Sequence, residues 1–194
     1  MEIISHRVNS VSSLEELDRS YGAEIDVRSS GRELVLAHDP FTSGAPLDEF
    51  LRRFADKHPE SLLILNPKED GLEDAILEKL RAYRIERFFF LDLTLPILVR
   101  MAFRKTEKRL AVRVSEYEPA EAAERFANAA DWVWLDCFSG NAPEAALVRR
   151  LRRQFKVCLV SPELQGFPSE RAAAFAPLAA EVDAVCTKFP ALWS

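Results

Sequence analysis

The chain contains few of the residues that form disulfide scaffolds, thiolate metal sites or nucleic-acid-binding surfaces. Its 194 residues include three cysteines, three histidines and six glycines, and the formal net charge is −5. Cys137, Cys158 and Cys186 lie in or beside separate apolar runs and lack a C-x-x-C spacing, so we expect reduced core residues. Because a net negative charge gives no long-range attraction to nucleic acid, we predict no such partner.

Long apolar segments are also absent. No run approaches the ~20 residues that a membrane-spanning helix needs, so we expect no integral membrane segment. The sequence opens directly on a strand-like run, without the charged and then apolar leader of a signal peptide. Together these two features predict a cytoplasmic location.

What the chain does contain is a repeating alternation of short apolar runs and amphipathic helical segments. With 48% hydrophobic and 29% charged residues, it has the composition of a globular protein, and its length predicts a single domain over residues 1–194. Continuous apolar runs are typical of parallel strands buried on both faces. There are nine runs: Ile3–Ser5, Ala23–Val27, Leu34–Ala37, Leu62–Leu65, Phe88–Leu91, Leu110–Val114, Trp132–Leu135, Val157–Val160 and Ala184–Cys186.

This alternation predicts a parallel α/β fold. If Leu34–Ala37 is an excursion paired with the second run, eight strands remain, which is the number in a compact (β/α)8 TIM barrel. Few residues follow the last run, so the eighth helix should be vestigial or absent. The alternative is an open doubly wound sheet, although such sheets usually have a glycine-rich first turn, and His6-Arg7-Val8-Asn9 is not one.

Two histidines and two acids stand close together near the start of the chain. His6 and His38 each end a strand-like run, and Glu24 and Asp26 project from one face because residues i and i+2 of a strand point the same way. Two imidazoles and two carboxylates can hold a divalent cation between an acid and a base, as phosphodiester cleavage requires. The competing interpretation is structural histidines, with the acids paired to Arg28 or Arg32. We interpret the third histidine, His58, as a surface residue.

Polar residues also end the other strand-like runs. In a TIM barrel the functional side chains lie at the carboxyl ends of the strands, although strands must also exit to water. Arg113 and Glu116 have a second interpretation, as partners of each other. The candidates at these ends are Asn66, Lys68, Arg113, Glu116, Asp136 and Glu163.

Taken in order, these motifs resemble the glycerophosphodiester phosphodiesterase family, within the superfamily of phosphatidylinositol-specific phospholipase C-like phosphodiesterases. The motifs are Ile-Ser-His-Arg, Glu-Ile-Asp, Ala-His-Asp and Asn-Pro-Lys, which end at Arg7, Asp26, Asp39 and Lys68. The segment Asp183–Pro190 also resembles the last strand of that family, so the resemblance covers nearly the whole chain. It supports the barrel independently of the strand count.

The resemblance implies a role for each matching residue. His6 would act as general base and His38 as general acid, while Glu24 and Asp26 would bind Mg²⁺ or Ca²⁺. Arg7 and Lys68 would hold the phosphate. The implied substrate is a small-molecule phosphodiester, or one within a glycan or lipid headgroup. In this superfamily a substrate hydroxyl often attacks the phosphorus, which gives a cyclic phosphate.

Two positions depart from the family pattern. Many members have an acidic third metal ligand where this chain has Asn66, whose amide oxygen can bind a cation but brings no charge. Asp136, Glu116 and Glu163 are the acids that would compensate. In addition, Val8 replaces the glycine that usually follows His-Arg, which removes backbone freedom next to the phosphate.

The sequence therefore predicts a metal-dependent phosphoric diester hydrolase on a compact barrel. One alternative is a non-catalytic descendant that binds a phosphorylated ligand, with Asn66 marking decay of the metal site. Another is a barrel enzyme of unrelated chemistry that uses Lys68 or Lys188 as a Schiff-base amine. The oligomeric state is not predicted.

Overall fold

Ten β-strands and seven α-helices alternate along the chain. The computed structural model describes residues 1–194. The strands are β1 (Glu2–Ser5), β2 (Gly22–Ser30), β3 (Glu33–Leu36), β4 (Ala45–Pro46), β5 (Leu63–Pro67), β6 (Phe88–Phe90), β7 (Ala111–Val114), β8 (Trp132–Leu135), β9 (Lys156–Val160) and β10 (Ala184–Thr187). The helices are α1 (Val11–Glu16), α2 (Leu47–Lys57), α3 (Glu73–Ala82), α4 (Leu95–Val99), α5 (Ala120–Glu124), α6 (Ala145–Leu151) and α7 (Ala172–Phe175).

Eight parallel strands form a closed barrel. Hydrogen bonding connects them in the order β6-β5-β2-β1-β10-β9-β8-β7, and a parallel bridge between Phe90 and Leu110 joins the two end strands. At this closure the Phe90 amide donates to the Arg109 carbonyl at 2.9 Å. The predicted (β/α)8 barrel is confirmed over the open sheet, and its weakest seam lies between β6 and β7.

The predicted excursion from the barrel is also confirmed. Strand β3 pairs antiparallel with the end of β2, and the short β4 pairs with β3. The hairpin extends β2 past the barrel and then returns the chain, and its continuation carries His38. Strand β4 has only two residues, one of them proline, so the sequence has no apolar run that would predict it.

Two buried layers hold the barrel together. The interior contains apolar side chains such as Ile4, Ile64 and Trp134, and the Phe89 and Trp132 rings stack with centroids 4.7 Å apart. A larger layer lies between the strands and the helices. All three cysteines are buried and free, as predicted.

His58 lies in the core, so its assignment to the surface was wrong. It is 1% exposed, and its ring stacks on Phe54 with centroids 5.6 Å apart. It directly follows α2, whose buried face includes Phe50 and Phe54. The helical period extends through position 58, which places the imidazole on that same buried face.

The last helical segments are short and irregular. Two 3₁₀ segments lie on either side of α7, at Ser169–Arg171 and Ala176–Glu181. Pro177, in the second of them, has no amide hydrogen to continue an α-helix. After β10 there is only a 3₁₀ turn at Pro190–Leu192, as expected for a vestigial eighth helix. None of the helices is long and apolar enough to cross a membrane.

We expect Ile25→Ala to destabilise the protein by about 2–5 kcal/mol, because it leaves a cavity beside the strand that carries both site acids. Ile25 is fully buried in the layer between the barrel and the helices. Urea unfolding measures the effect. The exposed Glu33→Ala is the control and should change the free energy of unfolding by less than about 0.5 kcal/mol. Equal effects of the two substitutions would contradict the assigned packing.

Candidate active site

A polar cleft of about 340 Å³ opens at the carboxyl ends of the barrel strands. This is the end of a TIM barrel at which functional side chains gather. The cleft brings together eight of the residues predicted from the sequence. They are His6, Arg7, Glu24, His38, Asn66, Lys68, Arg113 and Asp136.

Glu24 lies at the bottom of this cleft and is almost completely buried. Its carboxylate accepts hydrogen bonds from the Arg7 amide at 2.8 Å and from the Asn66 side-chain amide at 3.2 Å. Burial and the nearby Asp26 charge nevertheless raise the pKa of Glu24 to about 7. The free protein therefore holds a carboxyl group that a nearby cation would readily ionise.

Asp26 is also fully buried but has more partners. Lys68 Nζ lies 2.9 Å from its Oδ1. Asn9 contacts it twice, since the Asn9 side chain donates to Oδ2 at 2.7 Å and accepts from the Asp26 amide at 2.8 Å. Arg28 instead pairs with Glu69 at 3.4 Å, so it does not neutralise the site acids.

His6 is placed as a neutral imidazole. Burial and the adjacent Arg7 lower its pKa from 6.5 to about 4. Its Nε2 lies 3.8 Å from Glu24 Oε2. At neutral pH this ring carries one proton and keeps a free lone pair, as a general base requires.

His38 stands on the opposite side of Arg7, nearer to solvent. Its Nδ1 lies 2.7 Å from Asp39 Oδ1, and an Arg7 guanidinium nitrogen lies 2.5 Å from its Nε2. The Asp39 carboxylate accepts the Nδ1 proton and so orients Nε2 toward the cleft. Arg7 has a φ of 56°, a strained backbone conformation of the kind that clusters at functional sites.

The oxygen atoms at the bottom of the cleft fit a hard divalent cation. Asn66 is buried beside Glu24, and its side-chain carbonyl oxygen has no hydrogen-bond partner. No group of three or more His, Cys, Asp or Glu is placed to hold a metal, because an amide stands where a third acid would complete the set. Two carboxylates and one amide oxygen remain a donor set suited to Mg²⁺ or Ca²⁺.

The acids expected to compensate for Asn66 already have protein partners. Asp136 lines the cleft but lies 2.7 Å from Arg113 Nη1. Glu116 accepts from the amides of Phe138 and Ser139, each at 3.0 Å, and does not pair with Arg113. Arg113 pairs instead with Asp92, Asp136 and Glu118.

Glu163 is buried between β9 and β10, outside the cleft lining. It accepts hydrogen bonds from the Thr187 hydroxyl at 2.5 Å, from the Lys188 amide at 2.9 Å and from Ser161. Trp193 Nε1 in turn donates to the Ser161 hydroxyl at 3.2 Å. This network fixes the end of β10 and the backbone of Lys188 just after it.

Two residues of the site, Asn9 and Gln165, were missed from the sequence. Asn9 orients Asp26, and Gln165 donates to Asp136 at 2.6 Å. Two others were named without these roles: Asp39, from the His-Asp motif, orients His38, and Lys188, considered only as a Schiff-base amine, lines the cleft. Asn9 lies in a loop and Gln165 ends a 3₁₀ segment, and neither position carried a signal.

Comparison with known proteins shows that the fold is shared. No family model and no curated protein matches the chain. A glycerophosphodiester phosphodiesterase from Agrobacterium tumefaciens str. C58 superposes with a TM-score of 0.73 at 14% identity, covering 100% of this chain and 97% of that chain. An Oleispira antarctica phosphodiesterase in complex with the product sn-glycerol-3-phosphate gives 0.72 at 19% identity, covering 100% and 95%. A glycerophosphoryl diester phosphodiesterase from Parabacteroides distasonis gives 0.67 at 14% identity, covering 97% and 83%.

The chain therefore has the barrel fold of the glycerophosphodiester phosphodiesterases. The likeness extends over nearly the full length of the first two structures. It confirms the fold that the sequence resemblance implied.

The raised pKa of Glu24 predicts how stability depends on pH without metal. The pKa lies near 4.5 in the unfolded chain and at about 7 in the folded protein, so this group's stabilising contribution is lost as the pH rises between these values. Because glutamine does not ionise, Glu24→Gln removes this pH-dependent loss of stability. In chelator, the free energy of unfolding of Glu24→Gln minus that of the wild type should rise by on the order of 2 kcal/mol from pH 5 to pH 8.

His6 acts in the opposite direction, since its lowered pKa makes its contribution to stability fall as the pH drops from 6.5 to about 4. Because His6 is present in both proteins, it largely cancels in this difference. A difference that is flat with pH would contradict the assigned environment of Glu24.

Proposed function

We propose that this protein is a metal-dependent phosphodiesterase, a divergent member of the glycerophosphodiester phosphodiesterase family whose domain spans residues 1–194. The observation that carries the proposal is the convergence of two differently placed imidazoles on one cleft, at the catalytic end of the fold that those enzymes share. Buried acids and cations surround the two rings. A cytoplasmic location stays a prediction from the sequence.

The cations around the cleft suit a phosphodiester. Arg7 and Lys68 would hold the non-bridging oxygens, as the sequence resemblance implies, and Lys188 lines the same cleft. A phosphodiester is anionic and repels nucleophiles, so fixed positive charges offset the negative charge that grows in the transition state. An Arg7 bound to phosphate would also release His38 Nε2, which it contacts in the free protein.

The two histidines divide the proton transfers. His6 accepts the proton from the attacking hydroxyl, which belongs to water or to the substrate itself, and the new P–O bond forms. His38 takes up a proton at Nε2 once Arg7 has turned to the phosphate, and Asp39 stabilises the resulting imidazolium. The P–O bond to the leaving group then breaks, and the imidazolium gives that alkoxide the Nε2 proton and becomes neutral. Attack by a substrate hydroxyl would release a cyclic phosphate, and attack by water an open monoester.

Glu24, Asp26 and the Asn66 amide oxygen would hold the divalent cation, Mg²⁺ or Ca²⁺. When bound, the cation would supply Lewis-acid stabilisation of charge on the phosphoryl oxygens. The raised pKa of Glu24 and the unpaired Asn66 oxygen support this position. A cation bound to Asp26 would take the place of the Lys68 ammonium, which pairs with that carboxylate in the free protein, and Lys68 would then turn toward the phosphate.

The proposed substrate is a glycerophosphodiester or a phosphodiester within a glycan or glycolipid. The Oleispira antarctica phosphodiesterase holds sn-glycerol-3-phosphate as a product, which supports a glycerol phosphate moiety here. The Schiff-base alternative is disfavoured because Lys68 is paired with a carboxylate, and Lys188 Nζ donates to the Glu163 carbonyl at 3.1 Å. Neither is the free amine that such chemistry requires.

We expect His6→Ala and His38→Ala each to lower kcat by about 10²–10⁴-fold, because each removes one proton transfer. ³¹P NMR of glycerophosphocholine and glycerophosphoinositol with Mg²⁺ or Ca²⁺ measures the rate and also shows whether a cyclic phosphate forms. The third histidine, remote from the cleft, is the control, and a folded His58→Gln should keep its activity. Full activity of the His6→Ala/His38→Ala double variant would exclude this mechanism.

We expect chelator-stripped protein to bind Mg²⁺ or Ca²⁺ saturably in calorimetric titration, and Glu24→Gln to abolish this binding. Asn66→Asp should tighten it by about tenfold or more, since affinity rises with the number of charged ligands. The exposed Asp56→Asn is the matched control and should bind as the wild type does. Binding that survives Glu24→Gln would place the cation elsewhere, and no binding without substrate would favour the non-catalytic phosphate-binding alternative.

A further inference from the structure

A second cavity, lined mostly by apolar side chains, adjoins the catalytic cleft. It has a volume of about 480 Å³, within the range of small-molecule sites. One wall comes from the segment around α4, with Leu93, Leu95 and Leu98, and the other from Ala122 in α5 and Phe126 just after it. This apolar groove lies over the seam between β6 and β7, where one bridge closes the barrel.

The groove and the cleft adjoin each other. Leu91, Asp92 and Arg113 line both of them, so these residues form the boundary between the phosphate region and the groove. Asp92 has a φ of 56° and pairs with Arg113 at this boundary. A ligand that is bound in the cleft and extends past the Asp92–Arg113 pair would therefore enter the groove.

Apolar side chains also stand around the mouth of the barrel. Of nine exposed large apolar residues, five follow strands at this end. Tyr117 and Phe138 form an aromatic pair with ring centroids 6.0 Å apart, and Phe138 itself lines the cleft. Exposed apolar groups beside a ligand-binding cleft can contact the apolar part of an amphiphilic ligand. The five residues are Phe41, Leu95, Tyr117, Phe138 and Phe189.

We infer that the apolar groove takes a hydrocarbon chain esterified to the phosphodiester in the cleft, so that the substrate is a single-chain amphiphile. This inference rests on the proposed function and narrows it. The phosphate would lie among Arg7, Lys68 and the histidines, and the chain would lie between α4 and α5. The position of the seam explains the space, because neighbouring helices need not pack closely where the strands beneath them are joined by one bridge.

Binding of n-alkylphosphocholines with hexyl, octyl and decyl chains tests the inference. Calorimetry measures this binding with Mg²⁺ present, in the His38→Ala protein, because that substitution prevents turnover. We expect Kd to fall about two- to fourfold for each added methylene, as apolar burial predicts. Ala122→Trp, at an exposed position on the groove wall, should remove this chain-length dependence. Ala173→Trp, at an exposed position on α7, should preserve it.

A Kd that does not depend on chain length overturns the inference, and so does a dependence that Ala122→Trp leaves unchanged. Turnover of the same compounds and of glycerophosphocholine by wild-type protein, followed by ³¹P NMR, tests the proposed function separately. Cleavage without chain-length dependence contradicts the groove alone. Chain-dependent binding that Ala122→Trp removes, with no cleavage of any compound, contradicts the phosphodiesterase proposal alone.

Discussion

Two buried carboxylates on one strand impose the main electrostatic constraint on this barrel. Glu24 lines the cleft, Asp26 lies two residues along the same strand, and both have almost no exposure to water. Burial and the nearby Asp26 charge raise the pKa of Glu24. Four surrounding residues stabilise the pair with hydrogen bonds or positive charge. They are Arg7, Asn9, Asn66 and Lys68. The positive lining of the cleft and the raised pKa of Glu24 follow from this buried pair, whereas the lowered pKa of His6 follows from its burial and from the adjacent Arg7.

Asn66 changes that balance in a specific way. Its side-chain NH₂ donates to Glu24 while its carbonyl oxygen stays unpaired. A third acid here would add another buried negative charge, which only a bound cation could offset. The amide instead lets the mouth of the barrel fold without metal, at the cost of weaker attraction for one. Under the proposed function, the adjoining apolar groove favours a change of substrate over loss of the site.

Much of the fold could be predicted from local patterns. The apolar runs marked every barrel strand, and the alternation along β2 placed Glu24 and Asp26 on one face. The two-residue β4 and the six-residue α1 were missed, because neither is long enough to establish a period. In α1 the available signal was the Ser10 cap, whose hydroxyl accepts from the Ser13 amide at 3.0 Å. His58 was misassigned because the residues after α2 were treated as a loop.

The site was harder to predict because its contacts join residues far apart in sequence. Spacing could nominate His6, His38 and Lys68, but the contacts of Arg7 with His38 and of Asn9 with Asp26 exist only in the folded barrel. In the sequence Asp136, Glu116 and Glu163 all follow strands, and Asp136 is the preferred candidate of the three. Only the structure separates them, since Glu116 binds loop amides and Glu163 anchors β10. The position of an acid at a strand end places it near the mouth of the barrel but does not show whether its side chain lines the cleft.

A crystal structure of the protein with Mn²⁺ and glycerol phosphate would decide whether this barrel mouth is a metal-dependent phosphate site. Anomalous scattering locates the cation independently of the surrounding density. We expect one strong peak bounded by oxygens of Glu24, Asp26 and Asn66, with the phosphate between that peak and Arg7. A peak outside the barrel mouth, or a phosphate bound there with Glu24 still hydrogen-bonded to Asn66 and no metal beside it, would contradict this placement of the cation.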